Sequence, residues 1–256
     1  MPAPLVLVQL TDPHVGAAWG DGDPAARLAA AVEAVRALRP EPDAVVVSGD
    51  LADNAADGEY DLVRELLAPL GAPLHVLPGN HDDRAALRRH FALPGDDGEP
   101  VQYAADLGPL RLVALDTTRP GEDRGELDAE RLAWLDAALA AVPDRPTLLA
   151  MHHPPLSTGI PAMDELALPP ADRRALGDVI ARHPQVRRIV GGHVHRPVAA
   201  ELGGRAVLAV PSTYVQLELD LGSDGLEFGA DPAGFAVHVL ADGELISHLQ
   251  PVLRPA

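Results

Sequence analysis

Apolar residues along this chain follow two rhythms. Short runs such as PLVLVQL, DAVVVSGD and PLHVLPGNHD alternate with segments whose apolar positions recur at helical spacing. Short runs bounded by turn residues predict buried strands, and the longer period predicts helices that bury one face. In DPAARLAAAVEAVRALRP, Asp23 stands as an N-cap and Pro24 at the first helical position, with Leu28, Val32, Val35 and Leu38 on one face. EYDLVRELLAPL and the short DRAALRRHF predict two more helices, and VQYAADLG and LRLVALDTT two strands joined through Gly108-Pro109. In LDAERLAWLDAALAAV, Leu132, Leu135, Leu139 and Val142 keep the spacing of a buried stripe. PTLLAMHHP reads as a strand, Leu156 to Pro170 as an irregular proline-rich segment, DRRALGDVIARH as a helix and VRRIVGGHVH as a strand.

Beyond that point the pattern changes. PVAAELGGRAVLAV predicts a hairpin around Gly203-Gly204, and FAVHVLADGELISHLQPV another around Asp242-Gly243. The intervening TYVQLELDLGSDGLEFGADPAG has no clear period. With neither a repeat nor a linker, the expectation is one α/β domain over residues 1–256, with two β-sheets packed together and flanked by helices.

Composition narrows the functions open to such a domain. The net charge of −18 disfavours a nucleic-acid polymer as partner, although bound cations can reverse the sign locally. The absence of cysteine excludes disulfides, thiolate zinc sites and iron–sulfur clusters. MPAPLVLVQLTD lacks the basic start of a signal peptide, and no apolar segment is long enough to span a bilayer. A soluble cytoplasmic protein without a membrane partner is the expectation.

Five apolar runs end in residues that bind metals: Asp12-Pro13-His14, Asp50, Asn80-His81-Asp82, His152-His153 and His193-Val194-His195. Each has an ordinary reading alone, as a turn cap, a strand-to-loop turn or a solvated histidine. Together they hold six of the eleven histidines and one of only two asparagines, at the ends where α/β sheets carry their sites. In His193-Val194-His195 the strand alternation would put both imidazoles on one face, with the preceding glycines clearing space. Imidazole, carboxylate and amide donors suit Mn, Fe, Co or Zn. Asp12, His14, Asp50, Asn80, His152, His193 and His195 are too many for one centre and fit two ions sharing a carboxylate. Such a pair activates water for in-line attack at phosphorus. His81 is placed to hydrogen-bond the phosphate or protonate the departing oxygen. Asp82 is placed to orient a histidine or to cap the next helix.

The series D-x-H, G-D, G-N-H-D, H and G-H-x-H resembles the calcineurin-like metallophosphoesterases, in particular their bacterial class III cyclic-nucleotide phosphodiesterase and glycerophosphodiesterase branch. Here it is Asp12-Pro13-His14, Gly49-Asp50, Gly79-Asn80-His81-Asp82, His152 and Gly192-His193-Val194-His195. The resemblance implies a four-layer αββα fold, with Asp12, His14 and His195 on one metal and Asn80, His152 and His193 on the other. It implies that Asp50 bridges, that His81 and Asp50 are catalytic, and that Asn80, His81 and His195 contact substrate. It implies a small phosphodiester as substrate, with a monoester or a silent scaffold role as alternatives, and leaves a homodimer or a monomer open.

Other residues carry lesser expectations. His153 is expected at the loop or substrate rim, His75 as a satisfied buried histidine, and His90, His183, His238 and His248 in solvent. Asp53 and Asn54 are expected to shape the loop after Asp50. Trp19 and Tyr214 are candidates to stack on a base, and Arg119, Arg124 and Arg196 are possible neighbours of the pocket, whose rim is expected in GAAWGDGDP, PPLSTGIPAMDELALPP and STYVQLELDLGSDGLEFG.

Overall fold

The computed structural model describes residues 3–222 and 224–253. Ser223, inside one of the expected rim segments, lies outside the described residues. Strands β1 (Leu5–Leu10), β2 (Ala44–Ser48) and β3 (Leu74–Leu77) alternate with helices α1 (Pro24–Arg36), α2 (Asp57–Leu67) and α3 (Arg84–Phe91). The chain then forms β4 (Tyr103–Leu107), β5 (Leu110–Ala114), α4 (Ala129–Ala140), β6 (Thr147–Ala150), α5 (Pro161–Leu166), α6 (Pro170–Ala181) and β7 (Val186–Gly191). The hairpin β8 (Val198–Leu202) and β9 (Arg205–Ala209), the ribbon β10 (Gln216–Leu217) and β11 (Phe228–Gly229), and the hairpin β12 (Gly234–Ala241) and β13 (Glu244–Pro251) complete it.

One sheet runs β13-β12-β1-β2-β3 and the other β4-β5-β6-β7-β9-β8. The two-residue period of the strands explains the layering. Along β1, Val6, Val8 and Leu10 join Leu28, Val32 and Val35 of α1 and Tyr60 and Val63 of α2 in one core. Leu5 and Leu7 face the other way and pack with Leu112, Leu148 and Val190 of the second sheet. That sheet's outer face, through Val113, Leu149 and Ile189, packs against Leu135 and Leu139 of α4 and Leu176 and Ile180 of α6. Helix, sheet, sheet and helix therefore stack as expected. Among the described residues no helix is long and apolar enough to cross a membrane.

Local signals behave as their chemistry requires. Asp23 accepts from the Ala25 amide at the start of α1, with Pro24 as its first residue. Several expectations are corrected. Asp83, not Asp82, caps α3, accepting from the Ala86 amide at 2.8 Å. The Leu156–Pro170 segment contains the short helix α5, opened by Pro161. Leu135 and Leu139 of α4 are buried, but Leu132 is only half-buried, with Arg131 taking part of the inner face and bonding the Glu126 and Thr118 carbonyls, and Val142, half-buried too, lies past the helix end.

The histidines outside the strand-end motifs also depart from expectation, except the exposed His248. His90 stacks on Tyr60 and bonds Asp57 and Asp61, and His183 is buried against Asp136. His75 is half-buried and its Nε2 has no partner, so it is not satisfied. His238 is fully buried between the sheets, where Gln9 Oε1 lies 3.1 Å from its Nε2 and Ser247 Oγ 2.8 Å from its Nδ1. Gln9 in turn donates to Ser48 Oγ at 2.8 Å, the residue whose carbonyl meets His152.

Burial, with a smaller contribution from Arg188, pushes His238 down to about 3. Because the folded protein keeps this group neutral, its contribution is complete above the unfolded histidine range near ~6.5 and is lost as pH falls from there towards 3. His238→Gln should remove up to about 1.4 kcal/mol per pH unit from the acid slope of stability. Urea unfolding of both proteins between pH 6.5 and 4.5 checks this; parallel slopes would contradict it.

Candidate metal centre

β1, β2 and β3 are mutually parallel, as are β5, β6, β7 and β9, so their carboxyl ends lie on common edges. The chain leaves β1 through Asp12 and His14, β2 through Asp50, β3 through Asn80 and His81, β6 through His152 and β7 through His193 and His195. Both sheets thus contribute to one cluster.

The turns that aim these side chains are unusual. Among the described residues, eight non-glycine residues have positive φ, and five belong to the cluster: Asp12 (51°), His14 (44°), Asp50 (52°), His193 (64°) and His195 (50°). Left-handed backbone costs an L-residue roughly 1–2 kcal/mol, and it concentrates where function fixes geometry. His193 and His195 therefore do not alternate along a strand. β7 has ended at Gly191, and both histidines sit in the turn beyond it. Close packing adds a second constraint. A Cβ at Gly79 would collide with the Asp50 carboxylate, and one at Gly192 with Thr11 Oγ1.

All seven proposed donors come together. His14 Nε2 lies 3.0 Å from His195 Nε2, and His152 Nε2 3.0 Å from Asn80 Oδ1. Asp50 Oδ2 stands between the two groups, 3.4 Å from His14 Nε2 and 3.3 Å from His152 Nε2. Asp12 Oδ1 is 3.5 Å from His195 Nε2, and the His193 amide donates to Asp12. His193 Nε2 is buried without a hydrogen-bond partner.

Hydrogen bonds on the far side of the rings decide which nitrogens are available. His152 Nδ1 donates to the Ser48 carbonyl at 2.8 Å, His195 Nδ1 to the Val215 carbonyl at 3.0 Å and His14 Nδ1 to Asp53 Oδ1 at 3.0 Å. A carbonyl only accepts, so in the neutral ring the proton sits on Nδ1 and the Nε2 lone pair faces the centre. Two such lone pairs 3.0 Å apart repel unless a metal ion or an added proton lies between them. The charges agree: Asp12 and Asp50 are buried, and burial favours their neutral forms, yet the surrounding histidines hold both below the usual carboxylate range. Burial opposes a charge on His152, but Asp50 and Asp12 outweigh it and push it up to about 9. Among the described residues the pocket beside the cluster is lined by no arginine, so apart from its histidines the site holds no fixed cation to set against Asp12 and Asp50.

His81 is half-buried, 4.7 Å from the His14 ring. Its Nδ1 donates to the Asp53 carbonyl at 2.9 Å, leaving Nε2 for a ligand. Burial lowers its proton affinity, but Asp50 and Asp53 more than compensate. Asp82 neither orients His81 nor caps a helix; it accepts from the Leu51, Ala52 and Gly79 amides and from Tyr60, tying the β2 and β3 loops together. Desolvation and the Asp50 charge push it up to about 7.

Asp53 does more than shape its loop. Its Oδ1 accepts from His14 and, at 2.9 Å, from Trp19 Nε1, and lies 3.4 Å from His81 Nδ1. The signal for it was a second aspartate one short turn after Asp50. Asp53→Ala should weaken metal retention roughly 10–100-fold, and Asp53→Asn, which keeps an acceptor, should restore most of it. Chelator competition would measure both.

The remaining expectations are corrected. His153 is fully buried, with Thr117 Oγ1 on Nδ1 and the Asp123 carbonyl on Nε2, so it is neither rim nor donor. Tyr214 is buried and its hydroxyl bonds the Trp19 carbonyl, which removes it from stacking; Trp19 does line the pocket. Arg119 and Arg124 pair with Glu122, and Arg196 bonds the Leu217 carbonyl. None of the three lines the pocket.

The model of the calcineurin-like phosphoesterase family matches residues 5–197, most of the chain. The chain belongs to that family. This calcineurin-like phosphoesterase is 33% identical over 241 residues to a probable glycerophosphodiester phosphodiesterase of Arcobacter nitrofigilis, covering 91% of this chain and 88% of the relative. It is 35% identical over 218 residues to a 3',5'-cyclic adenosine monophosphate phosphodiesterase of Pseudomonas aeruginosa, covering 84% and 78%. A dimetal phosphatase from Danio rerio superposes with a TM-score of 0.73 at 19% identity, over 98% of this chain and 97% of the other, which shows the shared fold.

Proposed function

We propose that this phosphoesterase is a metal-dependent phosphodiesterase acting on small diesters, of the cyclic-nucleotide or glycerophosphodiester class. The observation that carries this reading is the convergence of imidazole Nε2 atoms on two buried carboxylates. Asp12, His14 and His195 would hold one ion and Asn80, His152 and His193 the other, with Asp50 shared. All seven positions keep donors, which argues against a silent scaffold. Nitrogen and oxygen donors without thiolate suit Mn, Fe, Co or Zn. Two such ions lower the pKa of water and neutralise charge on a phosphoryl group.

The chain's own residues supply the rest. The Ser48, Val215 and Asp53 acceptors hold three imidazoles in one tautomer, so the donors need no reorganisation. Asp50 and Asp53 favour protonation of His81, which can then donate from Nε2 to a phosphate oxygen or to the departing alkoxide. Asn80 and His195 line the same pocket and are set to contact the substrate.

Stripping metals with chelator, reloading with Mn²⁺ and comparing bis(p-nitrophenyl) phosphate with p-nitrophenyl phosphate tests the reading. Faster turnover of the diester is expected. Preference for the monoester would reassign the enzyme, and no turnover with two ions bound would overturn catalysis. His81→Ala should lower turnover about 10²–10⁴-fold with metal content intact. If His81 acts as an acid, the loss should be larger for an alkyl than for a nitrophenyl leaving group.

A further inference from the structure

A cavity of about 220 Å³ opens against the histidine cluster. Its far side is apolar and comes from three separate segments: Trp19 from the loop after β1, Met163 and Leu166 from α5, and Leu217, Leu226 and Phe228 from the β10–β11 ribbon. Outside the cluster residues, the single polar lining group among the described residues is Asp123. Among the described residues no side-chain hydroxyl, amide or cation stands on that wall.

The wall is held in place rather than collapsed by chance. The Trp19 N–H is committed to Asp53, so the indole offers its apolar surface, and it packs 4.9 Å from the Phe228 ring and 5.0 Å from His14. Leu226 and Phe228 remain 37% and 40% exposed although both are large and apolar. Half-exposed apolar side chains beside a polar cluster mark a surface that a ligand covers.

Resting on the phosphodiesterase reading, the geometry points to a substrate whose second ester group is an uncharged apolar or planar ring, seated against Trp19, Phe228 and Met163. The 220 Å³ includes the face on His14, Asp50 and His193 where the phosphoryl group would sit, so the ring takes the part bounded by Trp19, Met163 and Phe228. A glycerol group would surrender its water for a wall without acceptors, apart from one carboxylate. A group carrying a further phosphate would meet Asp123 and no cation. The pocket thus favours a diester with an apolar or planar ester group over one with a glycerol group, although both share the same chemistry at phosphorus.

Two inhibitors with the same phosphorus group and charge test this on the Mn²⁺-loaded protein: phenyl methylphosphonate and 2,3-dihydroxypropyl methylphosphonate, each competing with bis(p-nitrophenyl) phosphate. The phenyl compound should have an inhibition constant at least about tenfold lower, the scale that apolar pockets give for small apolar groups. Phe228→Ser and Leu226→Ser, at partly exposed positions, should shrink the ratio below about threefold by weakening the phenyl compound. Equal constants in the wild type, or an unchanged ratio in both variants, would overturn the apolar subsite while leaving the phosphodiesterase intact. If the diester is not turned over at all, the functional reading fails separately. Quenching of Trp19 fluorescence, assigned with Trp19→Phe, then still reports whether the phenyl compound binds the wall, and no preferential quenching would overturn the subsite too.

Discussion

Asp50→Asn should lower diester turnover at least about 10³-fold and reduce bound metal from two ions per chain to one or fewer. Asp50 is the residue that faces both donor groups, with Oδ2 within 3.4 Å of His14 Nε2 and 3.3 Å of His152 Nε2. Its other oxygen accepts from the His81 amide at 2.9 Å, a bond asparagine can keep. The substitution therefore preserves shape and the loop while removing one negative charge from the centre. It also introduces an amide NH₂ where an acceptor stood. The metal-free variant should melt below the metal-free wild type, because asparagine removes the carboxylate that pairs with buried His152 and raises its proton affinity. Metal analysis, turnover and melting in chelator check the three parts. A variant that keeps two ions and turns over within tenfold of wild type would remove Asp50 from the bridging role.

Metal itself should be a large part of the protein's thermal stability. At a free concentration of 100 times Kd, each ion contributes about 2.7 kcal/mol, so two contribute roughly 5 kcal/mol. For a chain of this size 1 kcal/mol moves Tm by about 2–4 °C, and the chelated protein should therefore melt roughly 10–20 °C below the Mn²⁺-loaded one. The structure supplies the reason. Two buried carboxylates and five left-handed residues are unfavourable in isolation, and bound cations would offset that cost. His193→Ala, which deletes the one buried ring nitrogen in the cluster without a hydrogen-bond partner, should remove part of that shift. Differential scanning calorimetry with and without metal gives the answer; a Tm indifferent to saturating Mn²⁺ would mean that these residues do not hold ions.

Much of this was legible in the chain. The strands and main helices follow from two periodicities, and both terminal hairpins from Gly203-Gly204 and Asp242-Gly243, because turn chemistry and apolar spacing are local. The seven candidate donors stood out because polar residues at five strand ends have no local reason to be there. What local patterns could not show is where a side chain finds its partner. His153 and His152 are neighbours in sequence, yet His152 enters the cluster while His153 turns to Thr117 and Asp123. Asp82 and Asp83 could each have capped α3, and the loop amides claimed the first. Polar His238 looked like a solvated residue until Gln9, far away in the chain, supplied its bond inside the core.

The sequence by itself determined the alternating strands and helices, the family and the candidate donor residues, since these depend on residue type and spacing. The tertiary structure alone decided which ring nitrogen faces the centre, that Asp53 ties His14 to Trp19, and that the wall opposite is apolar. Those outcomes depend on groups from distant segments competing for the same acceptors and the same buried volume, and only the packed chain resolves that competition.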